Sequence, residues 1–172
     1  MNDTNSSLRP FADVEEGICR VAGLLPGLPK QEVILSRLYF HIAKALRDIA
    51  NQVLKPFDLN YVSFSTLMML FGTPNEVVNP SKLCGVTGET RTNMTRIVDD
   101  LVAQGFIKRR PSAKDRRRVV LTLTPKGEAL VKKILPRLWE KQIKIYERFG
   151  AEEVKMLEGL LKRQLASIEA IR

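Results

Sequence analysis

A single histidine and only two cysteines, Cys19 and Cys84, leave this 172-residue chain poor in the side chains that build metal and nucleophile sites. One His restricts acid–base chemistry and argues against a His/Cys metal cluster supplied by one chain. The two Cys fit neither a disulfide framework nor a zinc spacing. There is no Ser-His-Asp set, P-loop or dinucleotide fingerprint. The Gly85-Val-Thr-Gly88 turn lacks the glycine spacing and the Lys-Ser/Thr ending of a phosphate loop. The expectation is therefore no enzyme, no catalytic residue, no metal and no cofactor. No apolar run is long enough to span a bilayer, so no membrane partner is expected. Met1 to Arg9 is polar, without a signal-peptide apolar region, which makes the cytoplasm the default location. Nine prolines and ten glycines argue against a low-complexity chain.

What is present is basic charge in one place. The net charge is +9, and hydrophobic content is an ordinary 44%. From Arg91 to Arg118 there are nine basic residues against three acids, so most of the excess lies on one supersecondary unit. That suits a polyanionic partner. Arg91–Gln104 reads as an amphipathic helix. Met94, Ile97, Val98, Leu101 and Val102 match the i, i+3, i+4, i+7, i+8 template of one buried face. The opposite face carries Thr92, Arg96 and Asp99, flanked by Asn93 and Thr95. Next come a strand (Phe106–Arg110), a basic turn (Pro111–Lys114) and a second strand (Asp115–Leu123).

A chain of this length is one domain, or one domain with an extension. The expected divisions are a 1–30 extension with a short helix over Phe11–Leu25, a 31–55 long helix, a 56–124 reading region and 125–172 terminal helices. The long helix is apolar on more than one side (Tyr39, Phe40 and Ala43 besides Leu38 and Ile42), so it wants a second partner such as another subunit. Asn60 reads as the N-cap of Tyr61–Phe71. Asn79-Pro80 opens a short helix through Cys84, Gly85–Gly88 turns, Thr90 caps the next helix and Gly105 stops it. Short helix, tight turn and second helix with a polar N-terminus form a helix-turn-helix signature. Thr124-Pro125 starts a helix to about Arg148, with Pro136 expected to kink it. Glu152–Ile171 is the last amphipathic helix.

These features resemble the MarR family of winged helix-turn-helix regulators. The resemblance rests on Arg91-Thr-Asn-Met-Thr-Arg96, on the helix exit Leu101-Val-Ala-Gln-Gly-Phe-Ile107, and on Asp115-Arg-Arg-Arg118 running into Leu121-Thr-Leu-Thr-Pro-Lys-Gly127. It covers about Gln31 to Arg172 and is greatest to the EmrR/MprA type of multidrug-efflux repressors. It implies a mainly α protein with a small β-hairpin wing, forming a homodimer through its N- and C-terminal helices (31–55 and 125–172). Such a dimer represses transcription by covering a promoter until a small ligand or an oxidant releases it.

Arg91, Thr92, Asn93, Thr95 and Arg96 occupy the first turns of the reading helix, where Arg suits guanine and Asn suits adenine. Thr92 and Thr95 are equally suited to positioning phosphate. For Arg96, DNA contact is preferred over the alternative of a pair with Asp99 or Asp100. In the wing, the resemblance makes Asp115 the anchor of the turn and sends Arg117 to the minor groove. Lys114 and Arg116 remain for phosphates, with Arg109, Arg110 and Arg118 as phosphate contacts or strand-face charges. Two half-sites call for a pseudo-palindrome of about 16–20 base pairs with reading helices ~34 Å apart. The resemblance also implies a pocket for an aromatic effector: a phenolic acid, its acyl thioester or a drug-like compound. Its candidate residues are Arg37, His41, Tyr61, Phe64 and Ser65. Each also has a purely structural reading, as core aromatic or satisfied histidine. Alternatives are a thiol-based redox regulator using Cys19 or Cys84, and a DNA-binding protein without an effector. Cys84, beside Leu83, reads as a buried structural thiol.

Overall fold

The computed structural model describes residues 9–73, 78–111 and 119–172. The chain divides into two compact units, Met1–Gln52 and Val53–Arg172. In the first, α1 (Arg9–Leu24) leads through a tight turn into α2 (Lys30–Leu54), which continues into the second unit. Both helices start and stop within two residues of the expected bounds, the usual spread for helix ends. Ile18 and Ile34 are buried. The ring of His41, the lone histidine, meets the ring of Phe11 edge-on, centroids 5.3 Å apart.

The second unit opens with a 3-10 turn (Lys55–Phe57) and then α3 (Tyr61–Gly72). Asn60 caps α3 as expected. Its Oδ1 accepts from the N–H groups of Val62 and Ser63, while Ser63 Oγ accepts from the Asn60 N–H. This reciprocal box satisfies amides that have no partner within the helix. Helix α4 (Pro80–Thr87) is capped by the Asn79 side chain, which accepts from the Lys82 N–H at 2.9 Å. The expected end at Cys84 is corrected. The helix runs on through Gly85 to Thr87, and Gly88, at φ 72°, stops it with its N–H on the Cys84 carbonyl. A glycine inside a helix costs only about 1 kcal/mol, so Gly85 does not break it. Gly88 takes the left-handed conformation that residues with a Cβ avoid.

Helix α5 (Arg91–Ala103) follows, with Thr90 Oγ1 accepting from the Asn93 N–H at 3.2 Å. It ends in a Schellman motif: Phe106 N–H reaches the Leu101 carbonyl and Gly105 N–H the Val102 carbonyl. Strands β1 (Ile107–Pro111) and β2 (Val119–Leu123) pair antiparallel, with Ile107 opposite Leu123 and Arg109 opposite Leu121. A bridge from a third segment, which the sequence does not signal, comes from Val78, whose carbonyl accepts the Leu121 N–H. Helix α6 (Pro125–Tyr146) contains Pro136, and α7 (Ala151–Ala170) starts at Gly150, whose N–H donates to Glu153.

Helix α3 packs against α4, α5, α6 and β2. The core of this unit gathers Leu67, Leu83, Met94, Val98, Leu101, Leu121, Val131 and Ile134, all essentially without exposed surface. One junction joins three elements. The Thr124 hydroxyl, the N-cap of α6, donates to the Gly105 carbonyl at 2.7 Å. The Thr124 N–H reaches the Phe106 carbonyl at 3.0 Å, and Lys126 Nζ the Gln104 carbonyl at 2.7 Å. Gly127 lies so close that a Cβ on it would stand 2.2 Å from the Phe106 oxygen.

Candidate nucleic-acid interface

Burying Met94, Ile97, Val98 and Leu101 turns the other side of α5 outward. Arg91, Thr92, Thr95 and Arg96 are exposed on its first turns, and Asn93 is half-buried. The helix N-terminus adds unpaired backbone N–H groups and the positive end of the macrodipole, both favourable to phosphate. Thr95 Oγ1 donates back to the Arg91 carbonyl at 2.9 Å, which leaves its acceptor lone pairs facing outward.

Polar side chains on this face form a chain. Asn93 Nδ2 donates to Glu89 Oε2 at 2.5 Å, Arg96 Nη2 donates to Asn93 Oδ1 at 3.0 Å, and Arg96 Nη1 lies 3.6 Å from Asp100 Oδ2. The alternative weighed for Arg96, an ion pair within its own helix, is thus present with Asp100. Its length and exposure leave Nη1 free to turn to a DNA oxygen at little cost while Nη2 stays on Asn93.

The hairpin's basic residues divide between two faces. Cross-strand partners share a face, so Arg109 lies on the side of Ile107 and Leu121, and Lys108 and Arg110 lie on the other. Arg109 bridges to Asp99 on α5, Nη2 to Oδ1 at 2.6 Å. It therefore ties β1 to α5, a role that alternation along the strand signals only once the register is known. Lys114, Asp115, Arg116 and Arg117 lie outside the described residues, as does Arg118.

The effector candidates fall into two groups. Within the N-terminal unit, Arg37 and His41 line a cavity of about 570 Å³, otherwise walled largely by Val14, Ile18, Val21, Leu28 and Phe40. On α3, Phe64 is buried in the core, Tyr61 is exposed, and Ser65 Oγ donates to the Tyr61 carbonyl at 2.7 Å. Of the cysteines, Cys19 is exposed and Cys84 is partly exposed, so the expectation of a buried Cys84 thiol is corrected. The reason is helical geometry: Leu83 takes the inward position, and the next residue, about 100° round the helix, is turned aside. Among the described residues no group of His, Cys, Asp and Glu could hold a metal ion, and no helix is long and apolar enough to cross a membrane.

Sequence reasoning missed Glu89, Asp99 as the partner of Arg109, and the Phe57 ring, over which Lys133 Nζ and the Arg137 guanidinium sit at 5.7 and 5.3 Å. A carboxylate four residues before Asn93 was the available signal for the first. The others join residues distant in sequence.

Comparison with known proteins agrees with this geometry. The model of the MarR family matches residues 57–118. The chain is 31% identical over 159 residues to the transcriptional repressor MprA of Escherichia coli, covering 92% of this chain and 90% of that protein. Among solved structures, a mutant of E. coli MarR complexed with operator DNA is similar, with a TM-score of 0.70 and 27% identity, covering 80% of this chain and 98% of that one. The S. aureus MepR–DNA complex shares the fold, with a TM-score of 0.70 at 22% identity over 77% of this chain and 95% of that one.

Proposed function

The chain belongs to the MarR family and is a DNA-binding transcriptional regulator, and from that premise we propose that it is a homodimeric cytoplasmic repressor released by a small aromatic or lipophilic ligand. The observation that carries the reading is the exposed, Thr90-capped start of α5, where Arg91, Thr92, Asn93, Thr95 and Arg96 stand together. These five read or position the major groove. To the wing residues Lys114, Asp115, Arg116 and Arg117 we assign the DNA backbone and the minor groove, where an Arg gains from the negative potential of A·T-rich DNA.

Two copies align two reading helices on a pseudo-palindromic operator. The exposed apolar residues of α2, α6 and α7, among them Phe40, Trp139, Ile143, Leu161 and Leu165, supply the surface for self-association. Two groups of residues are offered to the effector. Arg37 and His41 give the apolar cavity of the first unit a polar edge suited to a carboxylate or phenol. On α3, Tyr61 offers an exposed ring and Ser65 a hydroxyl oxygen, while the ring of the third candidate, Phe64, is buried in the core.

The test is a DNA-shift titration of the protein on its own upstream region, with a panel of aromatic acids, phenols and acyl thioesters. Sharp, salt-sensitive binding lost on adding one compound is the expected result. Binding unmoved by every compound but lost with peroxide would replace the ligand reading by thiol sensing, for which Cys19 is the exposed candidate. Uniform affinity for all sequences would overturn the regulator reading.

A further inference from the structure

Asn93 is gripped from both sides. Its Nδ2 donates to Glu89 Oε2 and its Oδ1 accepts from Arg96 Nη2. An ionised carboxylate only accepts and a guanidinium only donates, so these neighbours admit one orientation of the amide. Turned over, the amide would set oxygen against carboxylate and N–H against guanidinium. A side-chain amide has two N–H donors and two acceptor lone pairs. The grip occupies one of each. One donor and one acceptor remain, the complement of N7 and the N6 amino group on the major-groove edge of adenine.

Glu89 is otherwise out of place. It sits immediately before the Thr90 cap, at the helix end that phosphates approach, in a stretch dominated by basic residues. A carboxylate there repels every duplex alike and by itself carries no sequence information. Its contribution to recognition comes through the amide that it orients.

We propose that Glu89 is a specificity-determining residue: it holds the Asn93 amide in the polarity that reads adenine, while weakening affinity for DNA of every sequence. This rests on the reading of α5 as the DNA-recognition helix. Glu89 is a positioning residue and does not itself contact a base. A carboxylate that merely favoured the helix N-terminus would affect stability and all duplexes equally, leaving sequence preference unmoved.

The experiment selects a duplex from a randomised pool with the wild-type protein. It then measures binding to that duplex, to versions with each A·T pair replaced, and to a scrambled duplex. Glu89→Ala is expected to lose on the order of 10-fold of its preference at one A·T position per half-site, the weight of one bidentate contact. Binding to the scrambled duplex should tighten severalfold, because a like charge has gone. Glu89→Gln keeps the shape but offers an N–H as well as an oxygen, so only the exposed Arg96 still opposes the turned-over amide. It should relax the same position and tighten general binding in the same way, which keeps the test decisive if the Ala variant folds poorly. In an Asn93→Ala background, Glu89→Ala should change preference no further, since its effect passes through that amide. Unchanged preference in both Glu89 variants, or an undiminished loss without Asn93, overturns the proposal and leaves the regulator intact. A pool that yields no selected sequence overturns the regulator reading and this proposal with it.

Discussion

Leu83, Met94 and Leu101 are essentially without exposed surface in the winged unit, whereas Leu165 and Ile168 on α7, no less apolar, are 58% and 44% exposed. The first three are enclosed by elements of their own chain: α3, α4, α5 and the hairpin close on one another within a short stretch of sequence. The α7 stripe is built to the same helical period, and among the described residues α7 contributes none to the core. Its other face carries i, i+3 and i, i+4 ion pairs, Glu152 with Lys155 and Glu158 with Lys162, as a solvent-facing side should. One region folds around its own residues. The other carries an apolar face suited to a second copy, and exposed leucines therefore inform about assembly where buried ones inform about the fold.

The contrast is tested most severely at Gly127. Gly127→Ala places a methyl against the Phe106 carbonyl, and overpacking of this kind should cost about 3 kcal/mol or more of stability in urea denaturation followed by circular dichroism. An unchanged midpoint would show that the carbonyl has room to yield and that the junction is loose. A paired substitution sharpens the contrast. Leu101→Ala should cost roughly 2–5 kcal/mol at any protein concentration. Leu165→Glu should instead shift sedimentation toward a smaller species and make the melting temperature less dependent on protein concentration than that of the wild type. Equal behaviour of the two variants would erase the distinction between the regions.

A smaller effect is expected from Thr90→Ala, which removes the acceptor for the Asn93 N–H and should cost about 1 kcal/mol, with the fold retained by circular dichroism. Smallest is the α7 surface. The Lys162 ammonium, by hydrogen bond and by charge, holds the Glu158 carboxyl below its usual value. A lowered folded-state value stabilises the fold above the unfolded value, and that contribution is lost as pH falls through the folded one. Glu158 is fully exposed, so Glu158→Gln should leave thermal melts at neutral and acid pH superimposable on those of the wild type. A clear acid-side difference would mean that this face is covered.

Much of the winged unit was legible because local rules and tertiary packing agree there. Asn60, Asn79, Thr90 and Thr124 each stand one residue before a helix, and each caps it. The period of Met94, Ile97, Val98 and Leu101 places those residues inside. Legibility failed where two residues of one kind compete, as with Gly85 and Gly88, since composition does not say which glycine takes a positive φ. It failed again for Val78, whose single rung is too short to leave an alternating pattern. The exposed start of α5 was readable from its residue types. The Glu89–Asn93–Arg96 chain was not, because its meaning lies in which atom of an amide faces which neighbour. The partner of Arg109 depends on strand register, which periodicity alone leaves open.

The Thr124 junction bears on how the winged unit is held together. One hydroxyl and one amide of the α6 cap hold the carbonyls at the exit of α5 and the root of β1, with Gly127 permitting the close approach. The end of one helix, the start of a strand and the start of another helix are thereby tied in a single knot, so a change that frees one of the three ends slackens the other two.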